Sequence, residues 1–194
     1  MRNVWVKTDV TAEPITLAEA KSYCKVTGTG DDVLFTYLIR AAREELEAYT
    51  GRSFATKTIY AEWDKLPKDG KVRLPKAPVS SITSIKTIDE ESTETTLTLN
   101  TEYYVNGSPW PTVRIAAFWG TRITRVRAEY IVGYGATGCP PLPIALKMAM
   151  LKDILTQYDI REDINIGNIT TILSNNSKAI AAPYRDELWF AREA

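Results

Sequence analysis

Residues Asp31–Arg52 read DDVLFTYLIRAAREELEAYTGR, and this stretch decides the fold. Leu34, Leu38 and Ala41, flanked by Phe35, Ile39, Ala42, Leu46 and Tyr49, recur at steps of three and four. Thr36, Arg40, Arg43, Glu44 and Glu47 fall on the other side. That pattern predicts an amphipathic helix with a broad apolar face. Asp31 and Asp32 suit the positive end of its dipole, and Gly51 is placed to take the left-handed conformation that ends a helix. Working outward, Thr16 and Glu19 in Pro14-Ile15-Thr16-Leu17-Ala18-Glu19 form a capping box, which predicts a shorter helix running to about Val26. Thr27-Gly28-Thr29-Gly30 separates the two helices into a hairpin. Near the C-terminal side, Ile144, Met148, Leu151, Leu155 and Tyr158 form a stripe that predicts a third helix packing on the central one.

Between the helices the period changes to two. Ile59, Ala61 and Trp63 alternate with Thr58, Tyr60 and Glu62, and Val126, Ala128, Tyr130 and Val132 alternate with Arg125, Arg127 and Glu129. Val72–Leu74 reads as a short strand, Ile82–Ile88 with Thr93–Leu99 as a hairpin across a polar tip, and Tyr103–Val105 with Val113–Ala116 as a second hairpin. Val4 and Val6 form a brief alternation that suits either an edge strand or a packed arm. The fold class expected is therefore α+β: a small helical core, made of a helix hairpin plus a C-terminal helix, with an inserted antiparallel β sandwich or barrel-like domain and a C-terminal arm. The boundaries are 1–52 for the N-terminal arm and hairpin, 53–139 for the β domain, 140–161 for the returning helix, and 162–194 for the arm, with a final short helix over Ala181–Phe190.

Composition narrows the chemistry. Of 194 residues, 24 are Lys or Arg and 24 are Asp or Glu, so no global charge draws the chain to nucleic acid or to an acidic membrane. There is no histidine, and the two cysteines, Cys24 and Cys139, match no metal-ligand spacing. Zinc sites and His-based catalysis are excluded on that basis, no cofactor is expected, and no apolar run approaches membrane-spanning length. Gly133-Tyr134-Gly135 lacks the Lys-Ser/Thr of a phosphate loop and reads as a structural turn. Asp89-Glu90-Glu91 lacks calcium-loop spacing and reads as a solvated hairpin tip. Glu44, Glu45 and Glu47 read as a polar helix surface rather than as facing acid and base groups.

Two features remain. Arg114, Arg122, Arg125 and Arg127 suit either a phosphate-contacting surface or a solvated strand face, with Glu129 next in alternation to temper them. Ile164, Ile166, Ile169, Ile172 and Leu173 sit among Asn, Gly, Thr and Ser without a helical face, and Tyr184, Arg185, Trp189 and Phe190 follow. Apolar side chains with too little pattern to build a core suit a partner surface, or fold back on their own helices.

The motifs Pro14-Ile15-Thr16-Leu17-Ala18-Glu19-Ala20-Lys21, Leu38-Ile39-Arg40-Ala41-Ala42-Arg43-Glu44 and Tyr49-Thr50-Gly51-Arg52 resemble the head-to-tail connector proteins of tailed bacteriophages, also called head-completion or adaptor proteins. The likeness continues in order through Pro78-Val79-Ser80-Ser81-Ile82-Thr83-Ser84-Ile85, Tyr103-Tyr104-Val105, Tyr130-Ile131-Val132-Gly133-Tyr134-Gly135, Gln157-Tyr158 and Pro183-Tyr184-Arg185. The resemblance implies a structural, non-enzymatic protein of the virion neck, made in the host cytoplasm. It implies a homo-oligomeric ring, twelvefold in the particle, between the portal protein and the tail or stopper protein. Such a ring extends the DNA channel without sequence specificity and touches no membrane. On that reading the residues from Ile164 to Leu173 with Tyr184, Arg185, Trp189 and Phe190 contact the portal or the next subunit, and Arg122, Arg125 and Arg127 line the channel. The alternative is a nucleic-acid-binding module that uses the Arg122/Arg125/Arg127 strand face.

Overall fold

The computed structural model describes residues 2–107, 110–116, 123–159 and 174–186, which fall into two compact units. The helical unit is built from residues 13–54 and 142–194, and the β unit from 1–12 and 55–141.

In the helical unit, α1 spans Leu17–Tyr23 and opens on the expected capping box: the Glu19 N–H donates to Thr16 Oγ1 at 3.2 Å, and the Thr16 N–H donates to Glu19 Oε2 at 2.8 Å. It stops at Tyr23 rather than near Val26, because Lys25 turns left-handed (φ 57°) and the Val26 N–H returns to the Lys21 carbonyl at 3.0 Å. Helix α2 spans Asp32–Thr50 and ends at Gly51 (φ 73°), whose N–H bonds the Glu47 carbonyl. Its buried face carries Phe35, Leu38, Ile39, Ala42 and Leu46, and each large apolar side chain there contributes about 1.5–3 kcal/mol. The polar side departs from expectation. Ala41 is exposed, whereas Arg43 and Glu47 are buried at 2% and 4% exposure. Arg43 Nε donates to Glu13 Oε2 at 2.8 Å, and Glu47 Oε1 accepts the Phe54 N–H at 2.6 Å. A one-turn Arg–Glu pair, which on a sequence looks like surface, is here the polar centre of the core.

Helix α3 spans Ile144–Asp159, but the stripe that periodicity selects is not its core face. The buried residues are Leu146, Ala149, Met150, Asp153 and Ile154, while Ile144 is 77% exposed and Met148, Leu151 and Leu155 are half-buried. The helix is apolar on nearly every side, so spacing alone does not choose a face. The last helix among the described residues lies earlier than the one expected over Ala181–Phe190, of which residues 187–190 lie outside the described residues: α4 spans Ser174–Ala181, followed by a single 3-10 turn, Ala182–Tyr184, that contains Pro183. Proline halts the helix where an apolar reading extends it. Ser177 and Ala181, four residues apart, are its buried positions.

The β unit has eight strands: β1 Arg2–Thr8, β2 Lys57–Trp63, β3 Lys71–Arg73, β4 Val79–Asp89, β5 Glu94–Thr96, β6 Tyr103–Asn106, β7 Thr112–Ile115 and β8 Ile123–Val132. They form a five-stranded antiparallel sheet in the order β1-β2-β8-β4-β5 and a three-stranded one in the order β3-β7-β6, both open rather than closed into a barrel. Strands β2 and β8 bury every second residue as their alternation requires, and Val4 and Val6 lie on an edge strand paired with β2. Ile59, Ala61, Ile85, Val126 and Tyr130 from the larger sheet share one core with Val72, Tyr103, Val113 and Ile115 from the smaller. Tyr130 is fully buried, and its hydroxyl donates to the Pro75 carbonyl at 3.1 Å.

Candidate functional site

In Gly133-Tyr134-Gly135 the two glycine N–H groups are already used, Gly133 donating to the Pro78 carbonyl and Gly135 to the Pro140 carbonyl. They form a turn, not an anion cradle. At the β4–β5 tip, Asp89 Oδ1 accepts from the N–H groups of Glu91 (2.9 Å) and Thr93 (2.8 Å). The carboxylate thereby shapes the tip, and Ser92 takes the left-handed position (φ 66°) that a glycine would otherwise occupy. Among the described residues no group of three or more His, Cys, Asp or Glu is placed to hold a metal ion, and no helix is long and apolar enough to cross a membrane. Cys24 and Cys139 are unbridged thiols. Burial pushes both up, with the Asp159 charge adding to the shift of Cys24, so neither is an activated nucleophile.

One face of the five-stranded sheet carries a connected row of charged side chains. Register sets Arg127 of β8 beside Glu62 of β2 and Lys86 of β4, with β5 beyond. Arg127 Nε meets Glu62 Oε2 at 2.5 Å, and its guanidinium also pairs with Glu94. Arg125 Nη1 lies 3.6 Å from Glu62 Oε1, Lys86 pairs with Glu94 at 3.1 Å, and Lys7 pairs with Glu129 at 2.8 Å. The Glu62 hydrogen bond holds the Arg127 guanidinium above its usual range against the opposing effect of burial, and the hydrogen bond from Lys86 holds Glu94 below the usual carboxylate range. Arg125 and Arg127 thus stand in a face of alternating, locally neutralised charge. The carboxylates in direct contact with them are Glu62 and Glu94, while Glu129, next in alternation, pairs with Lys7. These pairs stand partly in solvent, which screens them, so the arrangement shapes the field more than the stability. Arg122 lies outside the described residues.

The second surface begins where α4 ends. Lys178 pairs with Glu45 at 2.8 Å, the Arg185 guanidinium lies 5.6 Å from the Tyr49 ring centroid, and the Asp186 N–H donates to the Thr50 carbonyl at 2.8 Å. Tyr184 is half-buried. Residues 182–186 are therefore fastened to the end of α2. Ile164, Ile166, Ile169, Ile172, Leu173, Trp189 and Phe190 lie outside the described residues.

Beneath α4 sits a group that sequence reasoning misses. Asp153 is buried at 4% exposure, bonded to Gln157 Nε2 at 2.9 Å. Burial, with the Glu45 charge, raises its carboxyl to about 6, against the lowering influence of the Gln157 and Ser177 hydrogen bonds and of Lys178. A carboxyl whose folded-state value is raised favours the fold when protonated. Its ionisation costs stability in full above about pH 6, and the cost fades as pH falls from 6 towards the ordinary value of 3.8. Asp153→Asn is accordingly expected to stabilise the helical unit by about 1–3 kcal/mol at pH 7.5 and by little at pH 4. Thermal melts of both proteins across that range check it, and parallel pH profiles would remove the assignment. The signal was present in the sequence only as an acidic residue on the unselected face of an apolar helix.

Compared with known proteins, residues 13–180 match a family model described as head completion protein. Among solved structures, a chain in the virion of a native gene transfer agent (GTA) particle superposes with a TM-score of 0.72 at 20% identity, covering 94% of each chain. A chain in the neck of an empty GTA particle, computed with C6 symmetry, gives 0.72 at 19% identity over 94% of this chain and 95% of that one. A chain in the neck of a native GTA particle, computed with C12 symmetry, gives 0.70 at 18% identity over 94% of each. At these identities the likeness is one of fold. No curated protein sequence matches the chain.

Proposed function

The chain belongs to the head completion protein family, a family of structural proteins rather than enzymes, and from that premise we propose that it forms a ring in the neck of a phage-like particle. The ring sits between the portal protein and the next neck or tail component and extends the channel through which DNA passes. The observation that carries this reading is the family match over residues 13–180. The fold shared with neck chains computed under sixfold and twelvefold symmetry supports the ring. Ring closure needs one heterologous contact repeated around an axis, and weak contacts suffice because each copy is held on two sides.

Within this reading the salt-bridged sheet face with Arg125 and Arg127 is the part of the chain we place towards DNA. A wall along which DNA slides requires a weak, mixed field, since every uncompensated cation adds a phosphate contact and a counterion to release. Removing the compensation is informative. Glu62→Gln removes the carboxylate beside Arg125 and one of the two that pair with Arg127, Glu94 remaining, and its affinity for duplex DNA is expected to rise, with a salt dependence steeper by about one ion equivalent than that of the parent chain. Unchanged, salt-insensitive binding would turn this face away from DNA. Tight binding by the parent chain itself would instead favour a nucleic-acid-binding module.

The C-terminal residues from Ile164 to Leu173 and from Tyr184 to Phe190 are the proposed contact with the portal or the adjacent subunit. Because α4 and the 182–186 segment are fastened to α2, the informative truncation removes residues 187–194 only. We expect the truncated chain to keep its melting temperature and to lose attachment to portal-containing heads. Particles assembled without the chain are expected to lack tails and leak packaged DNA, and its re-addition restores both properties. Tailed, DNA-retaining particles made in its absence would refute the neck assignment.

A further inference from the structure

The helical unit carries two apolar features that its own core does not use. The first is a ridge on α2: Val33 and Tyr37 are 67% and 66% exposed, and Ala41 follows them at the same four-residue step. These three positions span about 12 Å along one side of the helix. That side points away from the buried face through which α2 meets α1, α3 and α4. The second is a cleft along α1 and α3. Ile15, Ala18, Tyr23 and Leu151 floor an open groove of about 650 Å³, and Tyr23 is shared with an adjoining hollow of about 270 Å³ walled by Leu155. Leu151 and Leu155 belong to the α3 stripe that periodicity selects and the core leaves half-exposed. Among the described residues, the part of the stripe that the unit's own core uses is Tyr158, which stacks on Phe35 at 4.8 Å, while Leu151 and Leu155 line the cleft.

Each feature carries a locally paired charge. Arg40 and Glu44 pair at 2.7 Å beside the ridge, and Lys147 pairs with Glu19 at 3.3 Å across the rim of the cleft. These four charges therefore enter a contact already paired, which lowers the usual obstacle to burying a helix face, while Lys152 and Asp159 stand at the edge of the adjoining hollow. A row of side chains spaced by one helical turn projects from α2, and the cleft is lined at the same spacing by Ala18 and Ser22 of α1 and by Lys147 and Leu151 of α3. A closed ring of identical subunits requires two different, mutually complementary patches on every subunit, and this unit has one of each.

We propose that neighbouring copies in the ring meet through their helical units, the α2 ridge of one copy seating in the α1–α3 cleft of the next, with Tyr37 as the central anchor. This rests on the ring reading above and assigns its repeated contact.

The test uses particles assembled with full-length chain in which Cys24 and Cys139 are replaced by Ser and Tyr37→Cys is combined with Ser22→Cys, a residue of the cleft. Mild oxidation is expected to give a ladder of covalent multiples of the 21.7 kDa chain, absent from either single-cysteine variant. In a second arm, Tyr37→Asp changes an exposed residue and is expected to keep the melting temperature while weakening association by about tenfold or more at each contact. A dimer from Tyr37→Cys alone would mean that ridges face each other and would overturn the proposal. So would a full complement of rings that neither cross-link through the pair nor weaken with Tyr37→Asp; in that case the ring stands and its contact lies elsewhere. Particles holding only single copies of the chain would overturn the ring and the contact together.

Discussion

Replacing Gly133 by alanine is expected to cost the β unit about 3–5 kcal/mol, the largest loss of any single methyl addition considered for this chain. The residue ends β8 with φ at 123°, a conformation closed to side chains of L configuration, and its N–H is bonded to the Pro78 carbonyl. A Cβ there would sit 2.2 Å from the Ala55 carbonyl oxygen, 2.4 Å from its carbon and 2.7 Å from the Thr56 nitrogen. All three are backbone atoms, so no rotamer change relieves the overlap. Gly135, two residues on, is the control: its φ is 76°, but nothing lies within 4 Å of a Cβ built there. Gly135→Ala should cost about 1–2 kcal/mol, the conformational part alone. Urea unfolding of the two variants separates clash from backbone preference, and equal losses would mean that the approach to Ala55 is not what fixes this glycine. Against a typical total of about 5–15 kcal/mol, the Gly133 change leaves little stable β unit at physiological temperature.

Glu47→Ala is expected to cost the helical unit about 3–5 kcal/mol by a different route. It removes the acceptor of the Phe54 N–H and leaves Arg43, which is 2% exposed, with less compensation for its buried charge. Burial works to lower the Arg43 guanidinium, but the Glu13 hydrogen bond and the charges of Glu47, Glu13 and Glu44 outweigh it and hold the group above its usual range. Glu47→Gln keeps an oxygen for Phe54 and forfeits only the charge, so a loss of about 1–2 kcal/mol is expected. Calorimetry of the two variants is the measurement. If alanine and glutamine are equally tolerated, the buried network is not a determinant of this unit's stability.

These two cases also show what a one-dimensional reading reaches. The ends of α2, the capping box at Thr16 and the alternation of β8 were legible because their causes lie within a few residues of one another. The 103–116 hairpin was legible for the same reason. The burial of Arg43 and Glu47 was not, because one-turn pairs of opposite charge are ordinary on solvated helices and the residues that make this pair internal, Glu13 and Phe54, come from segments on either side of the helix. For α3 the difficulty was excess: with apolar residues all round, two stripes compete and only the neighbours select one. The arginines of β8 were found, but Glu62 stands 65 positions before Arg127, and without strand register nothing announces that it neutralises them. Ser, Asn and Lys give residues 174–181 the look of a polar arm, and a helix of that composition exists through its packing on α3 and α2 rather than through propensity.

The strand order has a consequence in time. The middle strand of the five-stranded sheet, β8, is the last of the eight in the chain, and it separates β2 from β4. While the polypeptide emerges from a ribosome, β1, β2, β4 and β5 are all made before the element that joins them. Two apolar ribbons with open hydrogen-bonding edges must wait, and at about 5–20 residues per second the delay between Trp63 and Val132 lasts seconds. Closure then comes from pairings far apart in sequence, the slow class of folding event. The supply of folded chain is therefore paced by the arrival of a single late strand.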